Sequence, residues 1–167
     1  MKKVLVFPCS RLLASGRPNP KNYTLMADVV RVLRDRGVYC IQGGLSEEHS
    51  VGCDERRQDQ NIATILQLTF EVDAFLCVDT FLPHLVMANR GKYDGKPDGL
   101  LRGVVVWIVT DHHHFGYEAF TNIYSSKPTL APNMLAAMEG VAEEMKAMTK
   151  NAPPHDRVAE AVLNLLG

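Results

Sequence analysis

Four short runs of apolar residues punctuate the chain: VLVF (4–7), VYCIQ (38–42), AFLCV (74–78) and GVVVWIV (103–109). They are nearly continuous rather than alternating, the pattern of strands covered on both faces in a parallel sheet. Between them the apolar positions change period. Tyr23, Met26, Val30 and Leu33 recur at helical spacing and Gly37 stands as a stop. Ile62, Ile65, Leu66 and Phe70 mark a second helix, with Asp59 or Asn61 as its cap. Leu82, Leu85 and Val86 mark a short third one. Residues 45–60 are polar, with room for a loop and a short strand, and YDGKPDGLLRG (93–103) reads as a turn-rich insertion. Two further helices are expected over roughly 133–148 and 155–166, divided by Pro153-Pro154. Strands separated by helices predict βαβ units and a parallel sheet with helices on both faces. The expected architecture is therefore α/β: a single Rossmann-like three-layer domain over residues 1–167. No internal repeat or low-complexity tract interrupts it.

Composition narrows this only a little. With 167 residues the chain suits one domain with one sizeable core. A formal net charge of −1 argues against bulk nucleic-acid binding. Nucleic acid is not indicated as a partner, although it stays open as an acceptor. The cysteines are Cys9, Cys40, Cys53 and Cys77, with no CxxC pair, and Cys40 and Cys77 fall inside apolar runs. That is the usage of a reduced, cytoplasmic protein rather than a disulfide scaffold. MKKVLVF starts like a secretion signal, but Pro8-Cys9-Ser10-Arg11 ends the apolar stretch too early, and no run is long enough to span a bilayer.

In open α/β sheets ligands bind beyond the carboxyl ends of the strands. After the first strand come Ser10, Arg11 and, before the helix, Lys21. After the second come Gly43, Gly44, Glu47 and Glu48. After the third come Asp79, Thr80, Phe81 and His84, and after the fourth Thr110, Asp111 and His112-His113-His114. Thr80 and the amides behind it would form a helix N-terminus suited to an anion. Lys21 and Arg11 would add positive charge, and Glu47 or Glu48 would accept hydrogen bonds from a ribose. Taken singly, Asp79 or Thr80 would serve as a helix cap and Gly43-Gly44 as a turn. The three adjacent histidines lack the HxxxH or HExxH spacing of a helical metal site, and no metal is expected there.

The order of these elements resembles the C-terminal, donor-binding half of the glycosyltransferase family that includes the ADP-heptose:lipopolysaccharide heptosyltransferases. The matching segments are PNPKNYTLMADVVRVLRDRG, YCIQGG, NIATILQLTF, DTFLPHLVMANRGK, GVVVWIVTD and VAEAVLNLL. DTFLPHLVMANRGK stands against the family pattern D-[ST]-G-x-x-H-L-A-A-A-x-G-K-P. The resemblance covers almost the whole chain. It implies one half of a GT-B fold that binds a nucleotide-diphosphate sugar, with no metal or other cofactor.

The resemblance also implies roles. Lys21 would contact the pyrophosphate. Thr80 and the amides near Phe81 would hold phosphate. Glu47 or Glu48 would meet the ribose, and Asp79 and His84 would shape the pocket floor, His84 near the sugar. Transfer would be inverting, with the acceptor side supplied by a partner chain or a second copy of this one. In a homo-oligomer His84, Asp111 or His112 would be the candidate base. Two departures stand out: Phe81 takes the place of the family's glycine, and the acceptor-binding half is missing from this sequence. Two other readings are a non-catalytic nucleotide or nucleotide-sugar binder and a nucleoside deoxyribosyltransferase-like N-glycosidase. The latter needs a carboxylate nucleophile after Asp79, yet none occurs before Asp94.

Overall fold

The computed structural model describes residues 1–10, 12, 16, 19, 21–108, 117–126 and 150–167. Among these, six strands form one sheet: β1 (Lys3–Phe7), β2 (Tyr39–Gly44), β3 (Glu55–Gln58), β4 (Ala74–Val78), β5 (Arg102–Trp107) and β6 (Thr121–Tyr124). Every neighbouring pair is parallel and the order is β3-β2-β1-β4-β5-β6. The helices are α1 (Met26–Asp35), α2 (Ile62–Glu71), α3 (Leu82–Ala88) and α4 (His155–Leu166). The expected α/β fold with a parallel sheet is the observed one.

Alternation along the central strands divides the core into two layers. Val4 and Val6 of β1 point to the face covered by α1 and α4, where they meet Val29, Leu33, Val158 and Val162. Leu5 and Phe7 point to the other face, where they meet Ile65, Leu68, Leu82 and Val86 from α2 and α3. Burial on both faces is why these strands carry hardly a polar side chain. Gln42 is the exception, a buried amide within β2.

Residues 45–60 hold the loop and the short strand for which the sequence left room. β2 and β3 are parallel neighbours joined by residues 45–54 with no helix between them. β3 reads ERRQ, and as an outer strand its side chains stay half-buried or exposed, so no apolar run announces it. β6 was not expected, because TNIY buries only Ile123 and carries one apolar anchor where a central strand carries five. The turn-rich insertion at 93–103 contributes to the core, with Tyr93, Leu100 and Leu101 buried against the α2/α3 side. The helix expected at 133–148 lies outside the described residues. Among the described residues, no helix is long and apolar enough to cross a membrane.

Candidate functional site

In a sheet of this order the chain changes direction between β1 and β4, which opens a crevice at the carboxyl end of β1. A cavity of about 490 Å³ lies there. It collects residues from the ends of three strands: Phe7, Cys9 and Ser10 after β1, Gly44, Leu45 and Glu48 after β2, and Asp79, Thr80 and Phe81 after β4. Asn19 and Lys21 enter from the β1–α1 connection, and Gln60, Ile62 and Ile65 from the start of α2. The size suits a nucleotide-sized ligand.

The polar part of the wall is a linked cluster. Lys21 Nζ donates to Asp79 Oδ2 at 2.5 Å. Ser10 Oγ donates to the Asp79 carbonyl at 2.7 Å, and the Ser10 amide donates to Asn22 Oδ1 at 2.7 Å. The loop after β1, the entry to α1 and the end of β4 are thereby tied together. The two ion-pair side chains are partly exposed, 38% and 22%. A pair that meets water to this degree is worth about 1 kcal/mol or less. Lys21 is therefore held in place yet separable from Asp79.

The glutamate question has a geometric answer. Glu48 lines the cavity, whereas Glu47 is exposed and does not. Among the described residues, Glu48 Oε2 has no hydrogen-bond partner, and it is out of contact with water. Burial pushes the Glu48 carboxyl above its ordinary range; a backbone hydrogen bond at Leu45 pulls the other way, and Glu47 again pushes up. The carboxylate folds over Gly44, where a Cβ would collide with it and where φ is +139°. Only glycine suits that position. The loop that carries Glu48 is latched from beneath by Gln42. Its Nε2 donates to the His49 carbonyl at 2.9 Å, and its Oε1 accepts from the Val51 amide at 3.1 Å.

Gly43 has a different task. It does not line the cavity; the Phe7 ring rests on it, in the space that a Cβ would take. Phe7 in turn packs edge-to-face with Phe81, ring centroids 5.6 Å apart at 88°. Cys9, part of the wall, has its thiol pushed up to about 12 by burial and by Glu48, and its Sγ lies 3.9 Å from His49 Nδ1. A thiol held in its protonated form is a poor nucleophile, even beside a histidine.

The phosphate floor expected from Thr80 onward is narrower than the sequence suggests. α3 has seven residues, and Pro83 stands at its N-terminus without an N–H. Thr80 Oγ1 accepts from the Leu82 amide at 3.3 Å, so Thr80 occupies one donor instead of presenting it. His84 is not part of the cavity wall, contrary to its expected place at the pocket floor. It is exposed, and its Nδ1 lies 2.7 Å from Tyr117 Oη. The helix turns it away because Leu82, Pro83 and Val86 take the core-facing positions. Arg11, Asp111 and His112–His114 lie outside the described residues.

The residues that sequence reasoning missed are two amides, Asn19 and Gln60, and the apolar lining: Phe7, Leu45, Ile62 and Ile65. The last two, three apart on the first turn of α2, look like ordinary core positions in the sequence.

No protein-family model matches the chain, and no curated protein matches it either. Among solved structures it is similar to "The crystal structure of the glycosyl transferase family 9 from Veillonella parvula DSM 2008". The TM-score is 0.58 with 13% sequence identity, and the match covers 99% of this chain and 46% of that one. The chain thus spans less than half the length of that protein. What is shared is the fold, the Rossmann-type α/β architecture of a GT-B-like half.

Proposed function

We propose that the chain binds a nucleotide-diphosphate sugar in the cavity at the ends of β1, β2 and β4 and acts in glycosyl transfer. One observation carries this reading: a nucleotide-sized cavity with Lys21, Ser10 and Glu48 in its wall sits at the switch point of a sheet shared with a glycosyl transferase. Lys21 exchanges Asp79 for the diphosphate, since the ion pair is cheap to open. Its charge then offsets the leaving nucleoside diphosphate as the bond from the anomeric carbon to the phosphate oxygen breaks. Glu48 faces the ribose. In this reading the second acceptor-binding element comes from a partner chain or a second copy of this chain, and a base there takes the acceptor hydroxyl proton.

A non-catalytic nucleotide or nucleotide-sugar binder is the second reading. It is favoured by the cavity wall itself, where Asp79 is already paired and Glu48 holds its proton more tightly than a solvent-exposed carboxyl. An N-glycosidase working through a carboxylate on the helix after β4 has no residue to use, because α3 (LPHLVMA) carries none.

The test is a thermal-shift panel of ADP, UDP, GDP, dTDP and their sugar conjugates, with Lys21→Ala and Thr80→Val alongside. Stabilisation by a diphosphate that disappears in Lys21→Ala is the expected result. No stabilisation of the folded wild-type chain by any of them would overturn the reading. A sugar conjugate that is hydrolysed or transferred would separate the enzyme from the binder.

A further inference from the structure

We infer that Phe81 and Ile62 form a seat for the nucleobase, so that the cavity selects its ligand by an aromatic ring as well as by phosphate. This rests on the nucleotide reading above and adds to it where the ring goes and how it is recognised.

Among the described residues the large hydrophobic side chains that stand in solvent are Met1, Ile62, Phe70 and Phe81. Scattered exposure of this kind is ordinary. Two of these four, Ile62 at 63% and Phe81 at 42%, line the same cavity. Apolar side chains that converge on a concave site mark a surface awaiting an apolar ligand group. Of the remaining two, Phe70 already packs on Tyr93 at 4.7 Å, and Met1 is the first residue.

Both groups are held in advance of the ligand. Phe81 is steadied by the Phe7 edge-to-face contact, and Phe7, only 3% exposed, is seated on Gly43. Ile62 opens α2 directly after Asn61, whose Oδ1 accepts from the Thr64 amide at 2.9 Å. A rigid apolar surface loses little entropy when a ring lands on it. The family pattern that the sequence resembles has glycine where this chain has Phe81, so the seat is a property of this chain. The occupant is a planar heterocycle joined to an anion, because the same cavity carries the Lys21–Asp79–Ser10 cluster.

The seat also implies tolerance. Two side-chain amides line the wall, and both are engaged within the protein: Asn19 Oδ1 accepts from the Lys21 amide at 3.0 Å, and Gln60 Nε2 donates to the Gln58 carbonyl at 2.8 Å. Stacking is tolerant of base identity, because every base has a π-face. Affinities for ADP, GDP and UDP should therefore agree within about tenfold.

Calorimetry on the full chain tests this with four probe classes: the three diphosphates, the matching nucleosides, inorganic pyrophosphate, and a sugar diphosphate. The variants are Phe81→Ala, Phe81→Tyr, Ile62→Ala and Lys21→Ala, each checked for folding by circular dichroism. The expected result is about tenfold weaker nucleotide binding in Phe81→Ala, a smaller loss in Ile62→Ala, retention in Phe81→Tyr and unchanged pyrophosphate binding. Nucleotides that bind wild type and Phe81→Ala alike, or more tightly to the latter, would overturn the seat and leave the nucleotide reading standing. Nucleosides that bind through Phe81 with no gain from the diphosphate would support the seat and overturn the diphosphate reading. If no probe binds, both fall.

Discussion

Two aromatic rings on the same face of the sheet rest on glycines of the neighbouring strand, with different ends. Phe75 of β4 lies over Gly103, its register partner in β5, and is closed off edge-to-face by Phe120 at 5.0 Å and 80°. Phe7 of β1 lies over Gly43 of β2 and meets Phe81 edge-to-face at 5.6 Å and 88°. The local device is the same: a missing Cβ admits a ring, and a second ring covers it. Phe120 is 5% exposed, while Phe81 is 42% exposed. The first stack stands in mid-sheet and closes as core. The second stands where β1 ends, and its outer ring opens into the cavity. Position along the strand, not side-chain type, turns a packing motif into a binding surface.

The comparison breaks most visibly at its outer rings and their anchors. Phe120→Ala should cost about 3–5 kcal/mol by emptying a buried site, whereas Phe81→Ala should cost about 1 kcal/mol, the worth of one aromatic contact. Chemical denaturation of both variants checks the contrast, and equal losses would show that Phe81 is core. Gly43→Ala comes next. Its Cβ falls in the space of the Phe7 ring, so Phe7 must shift, at about 1–3 kcal/mol. Phe81 should move with it, giving weaker nucleotide binding although Gly43 itself touches no ligand. Wild-type binding in Gly43→Ala would uncouple the two rings.

The smallest effect is electrostatic. The native state holds the Glu48 proton more tightly than the unfolded chain does, whose carboxyl has its ordinary value of 4.5. Stability from this group is complete below that value and is lost as pH rises through the raised native pKa. Glu48→Gln should therefore match wild type in mildly acidic solution below pH 4.5 and become relatively more stable above it. Melting curves of both proteins across this range give the sign, and a variant that loses stability relative to wild type as pH rises would reverse the argument.

These predictions also show how far the sequence could be read. The central strands were legible because burial on both faces leaves runs such as AFLCV with no polar break. The cavity's place was legible because strand ends in a parallel sheet collect ligand groups. β6 was not, since an outer strand with one buried side chain has no period to detect. Nor was the choice between Glu47 and Glu48, adjacent residues separated only by the way the loop folds over Gly44. His84 sits in a motif-like position, but helix phase, fixed by Leu82, Pro83 and Val86, decides where it points. Phe81 stood out as a departure from a pattern, and its neighbour Phe7 gives that departure a structural meaning.

The Gln42 latch has a consequence for measurement. The Val51 amide is bonded to a buried side chain inside the sheet, and the same side chain holds the His49 carbonyl next to Glu48. Deuterium can reach that amide only when the loop lifts from the sheet, which also removes Glu48 from the cavity. The exchange rate at Val51 is therefore a clock for the opening of one wall of the site. It reads without any ligand present, and it should slow in proportion to occupancy once one binds.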